Sequence, residues 1–148
     1  MADRSVSEIM AEVKERFARD VVELCQDSIV VRSESLLAIA YFLKETPGLD
    51  FDFLSSITGV DYGSYFELVY RLVSLNHNYN LVLKVRCYQR DEPVVPSLVG
   101  LWLGADFQER EIFDLLGIRF DGHPNLKRIL LWEGFKGHPL RKDYRHDA

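Results

Sequence analysis

Apolar positions recur along this chain with two periods, and the change between them divides it into helix, sheet and helix again. Ile9, Val13 and Phe17 repeat at four-residue steps, which marks one apolar stripe of a helix. Ser5-Val6-Ser7-Glu8 ahead of them has capping-box spacing. A short strand is expected around Ile29, Val30 and Val31. Ser33 or Ser35 can cap a second helix, in which Leu36, Ile39, Ala40 and Leu43 share a face and which Thr46-Pro47-Gly48 ends. From Phe51 the period becomes two. Phe51, Phe53 and Ile57 lead to an expected turn over Gly59 to Gly63. Phe66, Leu68, Tyr70 and Leu72 then point one way, Glu67, Val69 and Arg71 the other. After a turn at Asn76 to Asn80, Leu81, Leu83, Val85 and Cys87 repeat the pattern and complete a hairpin with one wet face.

Asp91 to Pro96 is expected to be a rigid loop. A third helix begins near Ala105 or Asp106 and stops at Gly117, which suits the left-handed position past a helix end. On it Glu109, Ile112 and Leu116 share one face, and Arg110 and Asp114 stand four apart, close enough to pair. Helices on either side of an antiparallel hairpin predict an α+β fold: a mainly antiparallel sheet, helices packed on one side, and an extended basic C-terminal segment. The expected division is a globular body over 1–118 and a docking segment over 119–148, one domain overall.

Charge sharpens that division. The 148 residues carry a net −5. Residues 1–118 hold 11 Lys/Arg against 19 Asp/Glu, and 119–148 hold 7 against 4. This split argues against general nucleic-acid binding, which needs a strongly basic face. It favours a basic end lying on something acidic, either another chain or this domain's own body. Because Arg141, Lys142, Asp143 and Tyr144 follow Pro139, the segment is expected to leave the body extended, and Arg141 and Lys142 to be exposed charges of little weight in the fold.

The candidate chemistry is thin. Cys25 and Cys87 form no CxxC pair and read as small buried side chains of a reduced, cytosolic-type protein. No run of about 18 apolar residues is available to span a membrane, and Met1 to Asp20 lacks the apolar centre of a signal peptide. His123, His138 and His146 with Asp121 or Asp143 match no metal-ligand spacing. Glu109 and Glu111 point about 200° apart on a helix and do not converge on one substrate. There is no GxSxG, GxGxxG, Walker loop or cysteine cluster, so no catalytic, nucleotide or iron–sulfur site is predicted. What remains is a surface rich in arginine, tryptophan, tyrosine and phenylalanine, the residues that interfaces favour.

The stretch from Ala105 to Tyr144 carries a resemblance. Glu109-Arg110-Glu111, Asp114, Gly117-Ile118, Gly122-His123-Pro124, Leu126, Arg128-Ile129-Leu130 and Gly137 to Tyr144 resemble the signature of the 30-kDa subunit family of respiratory complex I. Its members are the C subunits of the proton-pumping NADH–quinone oxidoreductase, and the J subunit of the plastid enzyme is similar. Weaker agreement reaches back through Ser97, the Phe66 to Leu72 strand and Asp61.

The resemblance implies a subunit of the hydrophilic arm, on the cytoplasmic side of the membrane and attached through the complex. It implies no cofactor in this chain, with FMN and iron–sulfur clusters in other subunits. The expected partner is the large hydrogenase-like (49-kDa type) subunit that helps form the quinone cavity. An interface role is implied for Glu109, Arg110, Glu111, Asp114, His123, Arg128, Arg141, Lys142, Asp143 and Tyr144, some of which must be internal: Glu109 and Arg110 against the hairpin, Asp114 against Arg128 or Arg141. Many members run tens of residues past the basic motif, whereas this sequence stops at Ala148, so the grip on the partner is expected to be shorter or supplied by another chain. The alternatives are the homologous subunit of an energy-converting hydrogenase or of a quinone reductase with another donor and, remotely, a free-standing metal-dependent enzyme using the His-Pro segment.

Overall fold

The computed structural model describes residues 5–145. Helix α1 (Val6–Arg16) is capped by Ser5, whose hydroxyl accepts from the Glu8 N–H. Ile9, Met10 and Val13 face the core from it. Strands β1 (Val21–Leu24) and β2 (Ser28–Val31) form a short antiparallel pair. A 3-10 turn at Ser33–Ser35 leads into α2 (Leu36–Glu45), which buries Leu36, Ile39, Ala40 and Leu43. Strands β3 (Phe53–Asp61), β4 (Phe66–Ser74) and β5 (Tyr79–Cys87) form a meander. After β6 (Val94–Pro96) come α3 (Ala105–Leu116) and β7 (Arg119–Asp121).

The main sheet has the order β1-β2-β5-β4-β3. All its pairings are antiparallel except β2 with β5, and β6 with β7 make a small parallel sheet of their own. This is the predicted α+β class. In the β4–β5 hairpin Phe66, Leu68, Tyr70 and Leu72 stand opposite Cys87, Val85, Leu83 and Leu81. All eight are buried in one cluster with the inner faces of the three helices. Neighbours on the other face, such as Arg71, Val69, Val82 and Lys84, are exposed or half-buried, as expected for an antiparallel sheet wet on one side.

Three local expectations are corrected. Gly59, Val60 and Asp61 belong to β3, and the turn falls after them. Phe53 is 48% exposed rather than inward, because a bulge between Leu54 and Ser56 breaks the alternation and leaves Leu54 and Ile57 as the inward pair. The expected loop at Asp91 to Pro96 ends in β6, whose parallel partner is contributed from beyond α3. Of the cysteines, Cys87 is buried and its thiol is pushed up to about 11 by that burial. Cys25 is half-buried, its Sγ donating to Glu23 Oε2 at 3.1 Å.

Helix α3 crosses β3 closely because Gly59 has no side chain. A Cβ there would lie 2.7 Å from Leu116 Cδ1 and 3.3 Å from Ile112 Cγ2, both buried. Gly59→Ala should therefore push α3 off the sheet and cost about 1–3 kcal/mol, the range for overpacking a tight core. Gly100→Ala, whose Cβ would meet nothing within 4 Å, should be close to neutral. Urea denaturation of both variants checks the contrast.

Candidate docking surface

Three carboxylates around α3 and β3 organise the charged motif. The first is Glu109, wholly buried on the inward face of α3. It accepts from Ser97 Oγ at 2.6 Å and from the Leu98 N–H at 2.8 Å. The same serine hydroxyl accepts from the Val99 N–H at 3.2 Å, so Glu109 fixes the chain just after β6. Burial pushes the Glu109 carboxyl above its usual pKa, and these two donors offset that only in part. Its partners lie in the loop after β6, not in the hairpin as the resemblance implies.

The second is Asp114, also wholly buried. One oxygen takes Arg128 Nη1 at 2.7 Å. The other accepts three consecutive backbone N–H groups, from Ile129 (3.2 Å), Leu130 (2.8 Å) and Leu131 (2.8 Å). Successive N–H groups turned toward one point make an anion-holding concavity, and here the anion is a side chain of the same molecule. Burial pushes this carboxyl up, but the backbone donors and Arg128 outweigh it and hold it below the usual range. Arg128 also donates to the Gly137 carbonyl at 2.7 Å, and His138 Nδ1 lies 2.9 Å from the Asp114 carbonyl. That histidine ring sits where a Cβ on Gly117 would be, 2.7 Å from its Cδ2, and Gly117 has φ 79°.

The third is Asp61, at the end of β3. It takes both Arg90 guanidinium nitrogens (2.7 and 2.9 Å) and the backbone N–H groups of Gly63 and Lys142 (both 2.8 Å). The paired Arg90 holds its carboxyl far below the usual range against the upward push of burial. Arg141 closes the cluster. It donates to the Arg90 carbonyl at 2.7 Å and to Asp143 at 3.0 Å, and both guanidiniums lie over the Phe66 ring, 4.5 Å and 5.0 Å from its centroid. The Arg141 bond comes first among the causes that lower the Asp143 carboxyl.

These contacts correct the expectation that the basic end leaves the body. Through residue 145 it runs back along α3 and the end of β3. Burying Asp61 and Asp114 leaves each carboxylate in need of donors. The C-terminal segment supplies Arg128 and three N–H groups to Asp114 and, beside Arg90 and Gly63, the Lys142 N–H to Asp61. Arg110 does not pair with Asp114. It donates instead to the carbonyls of Lys127 (3.1 Å) and Arg128 (3.1 Å), because the segment crossing their shared face already fills Asp114 with Arg128 and three N–H groups. His123 is enclosed. Its Nδ1 accepts from the Asn125 N–H at 2.9 Å, so Nε2 carries the hydrogen. Nε2 lies 2.9 Å from Asp106 Oδ1, off the angle of a hydrogen bond, and 3.3 Å from the Asp106 carbonyl. Among the described residues no group of three His, Cys, Asp or Glu could hold a metal ion; His146 lies outside them.

The ten expected interface residues therefore do not form one face. Glu109, Asp114 and His123 are internal, Arg128 and Arg141 are mostly covered, and Tyr144 stacks on Phe135 at 6.5 Å between centroids. Glu111, Lys142 and Asp143 remain exposed. Beside exposed Lys127, Glu133 and Lys136, the anchored segment turns large apolar side chains outward: Leu130 (60% exposed), Trp132 (69%) and Leu140. Trp132 meets Phe135 edge to face at 5.7 Å, and Arg128 lies 5.6 Å over the Phe135 ring. No local signal marks Arg90 or Ser97 as a partner, since each joins its carboxylate only through the fold.

An α+β domain whose buried carboxylates hold down residues 128–142 has counterparts among known proteins. The chain belongs to the family described as respiratory-chain NADH dehydrogenase, 30 Kd subunit, whose model matches residues 29–148. The C 2 subunit of NADH-quinone oxidoreductase from Rhizobium etli is 43% identical over 141 residues, 90% of this chain and 74% of that one. The C subunit from Roseiflexus sp. is 49% identical over 119 residues, 78% of this chain and 68% of that one. The C 2 subunit from Rhizobium meliloti is 45% identical, the match taking in 79% of this chain and 65% of that one. These relatives are, by name, subunits of an oxidoreductase complex. A chain in the solved archaeal membrane-bound sulfane sulfur reductase shares the fold, with a TM-score of 0.77 over 95% of this chain and 85% of that one at 21% identity. No helix of the described residues is long and apolar enough to cross a membrane.

Substitutions and pH both test the anchoring. Asp114→Asn puts an amide against backbone donors and strands Arg128, and should cost about 3–5 kcal/mol at pH 7, as breaking a buried pair does. Arg141→Ala should cost about 1–3 kcal/mol through unpaired groups. Lys142→Ala, whose contribution is its backbone N–H, should stay within about 0.5 kcal/mol. The pH dependence has a defined sign. Asp61 and Asp114 titrate lower folded than unfolded, so their stabilisation is complete above the unfolded value of about 3.9 and is lost as pH falls below it. Glu109 works oppositely: its contribution is fullest below about 4.3 and declines as pH rises toward its raised folded value. Urea midpoints between pH 7 and pH 2 should drop below about pH 4 in the parent, and less in Asp114→Asn.

Proposed function

We propose that this chain is a non-catalytic subunit of the hydrophilic arm of a proton-translocating NADH–quinone oxidoreductase. In this reading it docks on the large hydrogenase-like, 49-kDa-type subunit that helps form the quinone cavity, and so supports electron transfer from NADH to quinone. FMN and the iron–sulfur clusters reside in other subunits, and the chain is held peripherally at the cytoplasmic side of the membrane through the complex. Family membership supports the assembly. The observation that carries the docking role is the rigid presentation of Leu130, Trp132 and Leu140 on a segment locked by Asp114 and Asp61. Large apolar side chains held outward without freedom to collapse lose little entropy on binding, and exposed tryptophan is a frequent anchor of interfaces.

A tagged chain should co-purify from detergent-solubilised membranes in a very large assembly, and its deletion should abolish NADH–quinone reductase activity. Trp132→Ala should leave the melting temperature of the isolated chain nearly unchanged. It should weaken retention in the assembly by about 2 kcal/mol or more, roughly thirtyfold in affinity. A small soluble species active on its own, or a Trp132→Ala chain that assembles as the parent does, would refute the reading. Assembly with loss of activity toward a donor other than NADH would assign the chain to a hydrogenase-type or other-donor complex.

A further inference from the structure

We infer that the outer edge of β3 is a strand-docking site for an extended segment of another subunit of the same assembly. The inference rests on the subunit reading above and concerns a surface that meets the Leu130–Trp132 platform only at Leu140. The main sheet has two edges, β1 and β3. Edge β1 is short, four residues, with an irregular register. Edge β3 is nine residues long. A long edge presents a row of N–H and C=O groups that invites another strand unless something blocks it.

In an antiparallel pair the N–H and C=O of one residue point the same way, and alternate residues face the partner and the outside. Ile57 identifies the outer row, since its N–H is not given to β4 but to Gln108 Oε1 at 2.7 Å. Period two places Gly59 in the same row. Gln108 is itself oriented by its Nε2, which donates to the Gly104 carbonyl at 2.9 Å. Its carboxamide oxygen thus occupies the place that a carbonyl of an added strand would take, at one position, and leaves the row beyond it to Gly59.

Beside this edge runs a groove of about 320 Å³ between β3 and α3. Ile112, Leu115 and Leu116 give it an apolar wall, and Leu140 closes one end, its N–H donating to the Leu115 carbonyl at 2.9 Å. Glu111 stands on its rim, exposed and engaged in no ion pair among the described residues. The open backbone position at Gly59, an apolar wall and one unpaired carboxylate define the occupant. It is an extended segment with apolar side chains at alternate positions and a Lys or Arg placed to meet Glu111. Backbone bonds would supply the binding, and the alternate side chains the choice of partner.

The test uses the full chain in the membrane complex. Thr58, exposed on the groove rim, is replaced by the photo-cross-linking residue p-benzoylphenylalanine, and the membranes are irradiated before the complex is isolated. The expected result is an adduct to one defined peptide of a different subunit that contains a Lys or Arg, and its loss in a Glu111→Lys background. Slower amide exchange of the Gly59 peptide in the complex than in the isolated chain is the second expected readout. An adduct within this chain or to a second copy of it overturns the proposal. So does incorporation into the complex with no adduct and unchanged exchange, which leaves the subunit reading standing. A chain absent from the complex on a native gel overturns both together.

Discussion

Buried carboxylates must be matched by donors, and in this protein many of the donors lie far from them along the chain. Asp114 is fully enclosed at the inner side of α3, and Asp61 closes β3 with little exposure. Neither could be ionised there without several hydrogen bonds, because desolvating a charge is costly. The partners are Arg90, Arg128 and four backbone N–H groups between residues 129 and 142. A segment with almost no regular structure is thereby held against the body. Its irregular backbone is tolerable because its N–H groups go to carboxylates rather than to a ladder.

That arrangement changes what the basic residues do. Arginines that look like a docking patch in the sequence are largely occupied inside the molecule. Arg141 bridges Arg90 and Asp143 over Phe66, and Arg128 ties Asp114 to Gly137. The two glycines at 117 and 137 leave room for rings to settle on the backbone, His138 on one and Tyr144 on the other. With Arg128 and Arg141 turned inward, the apolar part of what the segment shows outside is Leu130, Trp132 and Leu140. The internal charge network and the external apolar face are two sides of one device: the first fixes the geometry that lets the second be specific.

Much of the body is legible in the sequence, for identifiable reasons. Helices α1, α2 and α3 and the β4–β5 hairpin have strong periodicity and punctuation, with a side-chain cap at Ser5 and a left-handed Gly117 past α3, and all these signals lie within a few residues. The misreadings share a cause. Phe53 reads as inward because a bulge at Ser55 leaves no mark on the pattern around it. Gly59 reads as a turn residue because its reason for being glycine is Leu116, fifty-seven positions away. Strand β6 reads as a loop because three residues become a strand only when β7 is laid beside them. Spacing pairs Arg110 with Asp114, but the segment that crosses their shared face takes both, offering carbonyls to the first and N–H groups to the second.

The sequence alone determined the class of fold, the three helices, the hairpin and the family to which the C-terminal motif belongs, since these follow from local pattern and from an unusual string of residues. Tertiary structure alone decided which charges are partners. Asp61 and Lys142 are eighty-one residues apart and Ser97 and Glu109 twelve. No periodicity joins them, and only the packing of α3 across the sheet brings each carboxylate to its donors.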